Sequence, residues 1–147
     1  MKKLFLLALV LPILACDLGR APGMADVEVD GREFVIEPYL VRGFMPGMSP
    51  PDGGPLAVYI DLTASDSLPL PQGLLADHVW VVKGLATWET DMMKDETSPS
   101  PWNAVFRGFG GPKWGPSIRV DVTVRIALPD GGSTRVRIPR CMVNRSE

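Results

Sequence analysis

The sequence predicts an all-β chain, a two-sheet sandwich of seven or eight short strands. Three observations carry that expectation. Apolar and polar residues alternate with a period of two in several stretches, above all 56–63 and 118–126, as they do in a strand with one buried face. The stretches between are rich in the chain's 15 glycines and 15 prolines, which punctuate turns. Little of the chain carries a helical signal, and runs of short strands joined by such turns build sandwiches.

Taken in order, residues 27–29 and 33–41 flank Asp30-Gly31, a strong hairpin signal. In the second run Phe34, Ile36 and Leu40 share one side, and Val35, Glu37 and Tyr39 the other. Residues 43–55 hold four prolines and four glycines, so no regular element survives there. A loop of that length in a compact domain is usually functional or disordered. In 56–63, Leu56, Val58, Ile60 and Leu62 face inward. Residues 65–73 are turn material, and Leu74-Leu75-Ala76-Asp77 is expected to form one helical turn. A strand over 78–82 closes at Lys83-Gly84. Residues 86–90 are expected to pair back on it, with Trp80 and Trp88 within reach of each other. Residues 92–101 read as loop, 105–107 as a short edge strand, and 108–116, rich in glycine, as a second special loop. Residues 118–126 place Ile118, Val120, Val122, Val124 and Ile126 on one face. The chain turns at 129–132 and returns over 134–138, with Val136 and Ile138 inward, and 141–143 continues the strand after Pro139.

The spacing of these strands over residues 26–143 resembles that of immunoglobulin-like and fibronectin-like domains. The resemblance implies an immunoglobulin-like two-sheet β-sandwich, without the Cys-Trp-Cys signature of true immunoglobulin domains. The strand pattern also allows a small barrel.

The first residues have a different character. Lys2 and Lys3 precede an apolar run over 4–14, and Ala15 stands directly before Cys16. This is the pattern of a secretory signal helix, too short to span a bilayer comfortably. Ile13-Leu14-Ala15-Cys16 also resembles the lipobox of bacterial lipoproteins. The resemblance implies cleavage before Cys16, a diacylglycerol on its thiol, and a chain held in the bacterial cell envelope, facing the periplasm or exterior. The expected organisation is a signal peptide over 1–15, a Gly- and Pro-broken tether over 16–25 and the β-domain over 26–147. Asp17 resembles the inner-membrane retention signal of some Gram-negative lipoproteins.

The chain has 15 basic and 17 acidic residues, a balance that argues against a nucleic-acid partner. The charge is unevenly spread: 113–147 holds seven basic and three acidic residues, and 16–112 holds six basic and 14 acidic ones. Arg119, Arg125, Arg135 and Arg137 fall on the outward face of the last hairpin. Acids such as Glu33, Glu37 or Asp61 are expected beside them. With Cys16 lipidated, Cys141 has no partner in the chain and reads as a small buried residue.

No catalytic constellation is visible. There is one histidine, His78, and neither a Gly-x-Ser-x-Gly elbow nor a His-Glu-x-x-His or Cys-x-x-Cys pattern. The expectation is a non-enzyme without cofactor or metal, a binding or structural module whose partner is an envelope protein or glycan. Trp102, Phe109 and Trp114 are its candidate contact residues, because aromatic side chains on loops of a rigid β-scaffold often bind. The same residues also suit packing over the ends of the core. The alternative is a copper carrier: thioethers bind Cu(I), and the Met-Pro-Gly loop of Met45 and Met48 faintly resembles that of periplasmic copper chaperones, with His78 as the third ligand. Their His-x-Met motif is missing.

Overall fold

The computed structural model describes residues 23–97 and 100–147, so the expected signal peptide and Cys16 lie outside the described residues. The protein is all-β, with no helix among the described residues. Nine strands are described: β1 (Ala25–Val29), β2 (Arg32–Gly43), β3 (Leu56–Ala64), β4 (Leu75–Lys83), β5 (Ala86–Asp91), β6 (Met93–Lys94), β7 (Asn103–Gly111), β8 (Arg119–Ala127) and β9 (Ser133–Ser146).

The turns follow their residues. Asp30 and Gly31 both have positive φ, 51° and 74°, as a two-residue type I′ hairpin requires. Gly84 opens the turn between β4 and β5 with φ 57°, the first central position where a II′ turn takes glycine. Alternation sets the faces. Leu56, Val58, Ile60 and Leu62 of β3 and Val120, Val122, Val124 and Ile126 of β8 are buried in one core with Phe34 and Phe106.

The strand order is β5-β4-β8-β9-β2-β3-β7-β6, with β1 also paired to β2. Two runs of chain change partner along their length. The first part of β9 pairs antiparallel with β8, and its last residues, Val143 to Ser146, pair parallel with β2. Shortly before the switch, within the pairing to β8, the register shifts opposite Val120 and Val122. There Arg140 has φ 56° and donates its N–H to Asp121 Oδ1 at 3.1 Å. Strands that switch layers through bulges are how a sheet turns a corner. In the second run, β5 pairs with β4, the chain bends at buried Met92, and β6 pairs with β7. The strand order therefore begins and ends on one run of chain, and the sheet closes nearly into a barrel.

Glycine makes that closure fit. A Cβ on Gly108 would stand 2.6 Å from Thr90 Cγ2, and one on Gly111 would stand 2.8 Å from the Trp88 ring and 2.9 Å from Leu56 Cβ. β5 lies against β7 only because those side chains are absent. Gly111→Ala is expected to cost ~1–3 kcal/mol by overpacking this seam. It should show as a lower urea midpoint with unchanged slope, and an unchanged midpoint would mean that β5 and β7 do not approach this closely.

Several expectations are corrected. Residues 75–77 are extended rather than helical, because they pair with β8 at Ala127 and Ile126. The glycine-rich stretch 108–111 is strand, as the end of a nine-residue β7. Residues 93–94, read as loop, form β6. Trp80 and Trp88 do not meet. Trp88 pairs with inward Val81 and packs on the core, whereas Trp80 points outward opposite Glu89.

Candidate functional site

One face of the molecule combines exposure with apolar character, the outward side of β2, β3, β7 and β6. Register builds it: Tyr39 of β2 pairs with Tyr59 of β3, Tyr59 with Arg107 of β7, and Arg107 with Met93 of β6. Four strands thus contribute one row, and Phe109 lies two residues further along β7. Adjacent rings touch. Tyr39 and Tyr59 have centroids 6.3 Å apart with planes at 46°, and Tyr59 meets Phe109 at 6.0 Å edge to face. The Arg107 guanidinium lies 6.0 Å from the Phe109 ring. Tyr39 is 48% exposed, Phe109 52% and Met93 60%.

Below this row the same face turns polar. Glu37 pairs with Asp61, and Asp61 Oδ1 accepts hydrogen bonds from Thr63 Oγ1 (2.8 Å) and Asn103 Nδ2 (2.5 Å). Asn103 is also bonded to Thr63, so the carboxylate is fixed from two strands. The strip therefore has an apolar half and an acidic half.

The outward face of β5, β4, β8 and β9 is organised differently. Asp91, His78, Arg125 and Arg135 form one row across four strands, and Glu89, Trp80, Thr123 and Arg137 form the next. These groups satisfy one another. His78 Nδ1 lies 2.7 Å from Asp91 Oδ1, and the His78 and Trp80 rings are 4.5 Å apart. Arg125 donates to Asp77 at 2.8 Å and Arg137 to Asp121 at 2.6 Å. The Arg135 guanidinium covers the Trp80 ring at 4.2 Å. Arg137 holds the Asp121 carboxyl below the usual carboxylate range, helped by the Arg140 N–H. The acids beside the arginines are therefore Asp77 and Asp121. Glu33, Glu37 and Asp61, expected there, face outward from β2 and β3 instead.

The three aromatic candidates do not form one site. Trp102 sits in the turn before β7, where its carbonyl accepts the Ala64 N–H. Trp114 packs on the core and carries Lys83 Nζ 5.9 Å from its ring. Phe109 alone joins a larger aromatic surface, with Tyr59 and Tyr39, which sequence reading passed over. The signal for them was present: both tyrosines stand at outward positions, Tyr39 beside inward Leu40 and Tyr59 between inward Val58 and Ile60. Met45, Met48 and His78 are on different elements. Met45 and Met48 share a turn closed by the bonds from Met48 N and Ser49 N to the Met45 carbonyl, whereas His78 faces Asp91 and Glu89 from β4. Cys141 is buried with its thiol donating to the Ile138 carbonyl at 3.3 Å, and burial pushes its pKa up to about 11.

Sequence reading also missed Arg42. It occupies an inward position of β2, is only 3% exposed and meets no carboxylate directly. Its guanidinium donates instead to four carbonyls: Gly54 (2.9 Å), Asp52 (2.5 Å), Lys113 (3.2 Å) and Gly115 (2.6 Å). The Phe44 ring lies between Arg42 and Arg145, with centroid distances of 5.1 and 4.2 Å. One side chain thus ties the 44–55 loop to the 112–118 loop, and Lys113 closes the clasp on Asp52 at 2.8 Å. That contact holds the Asp52 carboxyl below its usual range.

At the opposite end of the barrel a groove of about 370 Å³ runs between residues 70–75 on one side and residues 94–96, 100–101 and 103–104 on the other. Among the described residues no group of three or more His, Cys, Asp or Glu converges to hold a metal ion. No family model, curated protein or solved structure matches the chain.

Proposed function

We propose that this chain is a lipid-anchored, non-catalytic binding module of the bacterial cell envelope, and that its contact surface is the strip of Tyr39, Tyr59, Phe109, Arg107 and Met93. The observation that carries the reading is the row itself. Four adjacent strands hold exposed aromatic, methionine and arginine side chains on a rigid sheet, the composition that protein interfaces favour. The ring planes are tilted to one another. Such a surface suits the irregular side chains of a protein partner better than the flat faces of a sugar, so a protein of the envelope is the favoured partner over a glycan.

The anchor supports the same reading. Ile13-Leu14-Ala15-Cys16 has the form of a lipobox, and two or three acyl chains hold a protein to a membrane where one does not. A chain held at a membrane by lipid, with one aromatic face, has the parts of an adaptor. The immunoglobulin-like character of the fold belongs to this proposal too: antiparallel strands of alternating pattern around one core support it.

The test compares the wild-type chain with Tyr39→Ala/Phe109→Ala after mild cross-linking in the envelope. The variant should melt within a few degrees of wild type and lose its cross-linked protein partners at least tenfold. An unchanged set of partners would remove this face as the contact. Retention of both forms on isolated envelope glycan would shift the ligand class.

A further inference from the structure

The two ends of the barrel differ in charge. Call the upper end the one where β2 finishes and β3 begins. It carries Met45 and Met48 in the 44–55 loop, and Leu85 at the turn between β4 and β5. Met48 is 83% exposed and Leu85 fully so. Pro46, Pro50 and Pro51 are exposed beside the methionines. A single apolar residue at the surface is ordinary, but here Met45, Met48 and Leu85 bring apolar tips from two separate loops to the end that also carries the basic residues. Basic residues stand around them: Lys83 and Lys113 at the mouth, Arg119 at the start of β8, and Arg145 near the end of β9. Lys113 and Arg145 have acidic partners in Asp52 and Glu147. Arg119 donates to the Arg140 carbonyl and Lys83 lies over Trp114, so both bring a full charge. The lower end holds the β1–β2 and β8–β9 turns and the 65–71 loop, with Asp30, Asp66, Asp95, Glu96 and Asp130 against Arg32 and Lys94, and Leu68 and Trp102 are exposed apolar residues there. Arg32 bonds Asp66 through both carboxylate oxygens and pulls its pKa down to about 2, so that carboxylate stays ionised.

The direction of the chain adds an independent argument. β1 runs antiparallel to β2, with Ala25 opposite Ile36 and Val29 opposite Arg32. Followed backwards from Ala25, the chain therefore heads toward the upper end. Seven residues separate the described chain at Gly23 from the end of the expected signal peptide at Ala15. Extended, they span about 25 Å at ~3.5 Å each. From Ile36 to Gly43, the end of β2, strand rise gives about 23 Å. The tether is thus long enough to reach the upper end.

We infer that the upper end is the face the domain turns to the lipid surface. Met45, Met48 and Leu85 enter the headgroup boundary, and Lys83, Lys113, Arg119 and Arg145 meet anionic headgroups. Basic side chains near such a surface are attracted within about one screening length. The Arg42 clasp makes the Met loop a fixed wedge, so it does not lose much freedom on entering. The long axis of the barrel then stands away from the membrane, and the aromatic strip faces sideways, open to a neighbouring protein. This inference rests on the lipid-anchored reading for the role of the tether; the charge asymmetry and the exposure of Met45, Met48 and Leu85 stand without it.

The experiment places a single environment-sensitive fluorophore on Met48→Cys, Leu85→Cys or Leu68→Cys in the full lipidated chain. Leu68 is an exposed apolar residue of the lower end and serves as the control. Cys141 is buried and the lipid blocks Cys16. The chains are reconstituted in vesicles of phosphatidylethanolamine and phosphatidylglycerol, with and without shallow-brominated lipid. Bromine should quench positions 48 and 85 at least twofold and leave 68 unchanged. Equal quenching at all three positions, or none at 48 and 85, overturns the inference. Mass spectrometry of Cys16 reads the anchor separately. Should Cys16 carry no lipid, the same labels on a Cys16→Ser chain added to the vesicles decide the orientation alone. Quenching at 48 and 85 sustains it there, and its absence overturns it.

Discussion

Val122→Asp is expected to abolish the folded state. Val122 is fully buried on β8, opposite Val81 of β4 and Ile138 of β9. A carboxylate placed there has no hydrogen-bond partner and no route to water, which costs several kcal/mol even after the group protonates. The whole stability of a domain this size is about 5–15 kcal/mol. The cooperative thermal transition should therefore vanish. The control is one residue away. Thr123→Asp puts the same group on the outward face, opposite Arg137, and should change stability by no more than ~0.5 kcal/mol. Normal melting of Val122→Asp would show that the inward face of β8 had been assigned the wrong way round.

Arg42→Met should cost ~3–5 kcal/mol, about what breaking a buried charged network costs. Methionine fills similar space but leaves four carbonyls without their donor, two in each loop, and each buried unsatisfied group is penalised by ~1–3 kcal/mol. Partial access of water to the loops keeps the loss below the sum. A fall of roughly 10 °C or more in melting temperature is expected, with new protease cleavage confined to 44–55 and 112–118. Arg42→Lys should fall nearly as far, because an ammonium is a point donor and cannot reach carbonyls on both loops as a planar fork does. A melting temperature within a degree or two of wild type for Arg42→Met would show that the clasp is not what orders the loops.

How far the sequence discloses this fold depends on whether a feature is local. The Asp30-Gly31 turn, the alternation of β3 and the alternation of β8 are properties of adjacent residues, and all appear where the period of two puts them. The partner switch of β9 is not local. Only the pairing of Leu40 with Val143 shows that the strand leaves β8 for β2. The Gly108 to Gly111 stretch misled for a related reason: glycine there answers the Trp88 and Thr90 side chains of another strand, whereas composition alone reads as loop. Arg42 was hidden because a charged residue at an inward position reads as the end of a strand, not as a hub. Tyr39 and Tyr59 were visible one at a time. That they meet Phe109, Arg107 and Met93 required the register of three strand pairs.

The late partner of β2 also bears on when this protein can fold. Leu40 waits for Val143, 103 residues further along the chain, and the β5–β6 run closes the seam against β7 before that. Contacts so distant in sequence make folding slow, because the loop entropy is lost before the contact rewards it. As the chain emerges from its N-terminus, β1, β2 and β3 are present long before β9, with one edge of β2 open along Leu40 to Gly43. Closure of the sheet can come only once β9 has been made. Until then that edge of β2 is a template for any other strand, so pairing within the chain competes with pairing between chains.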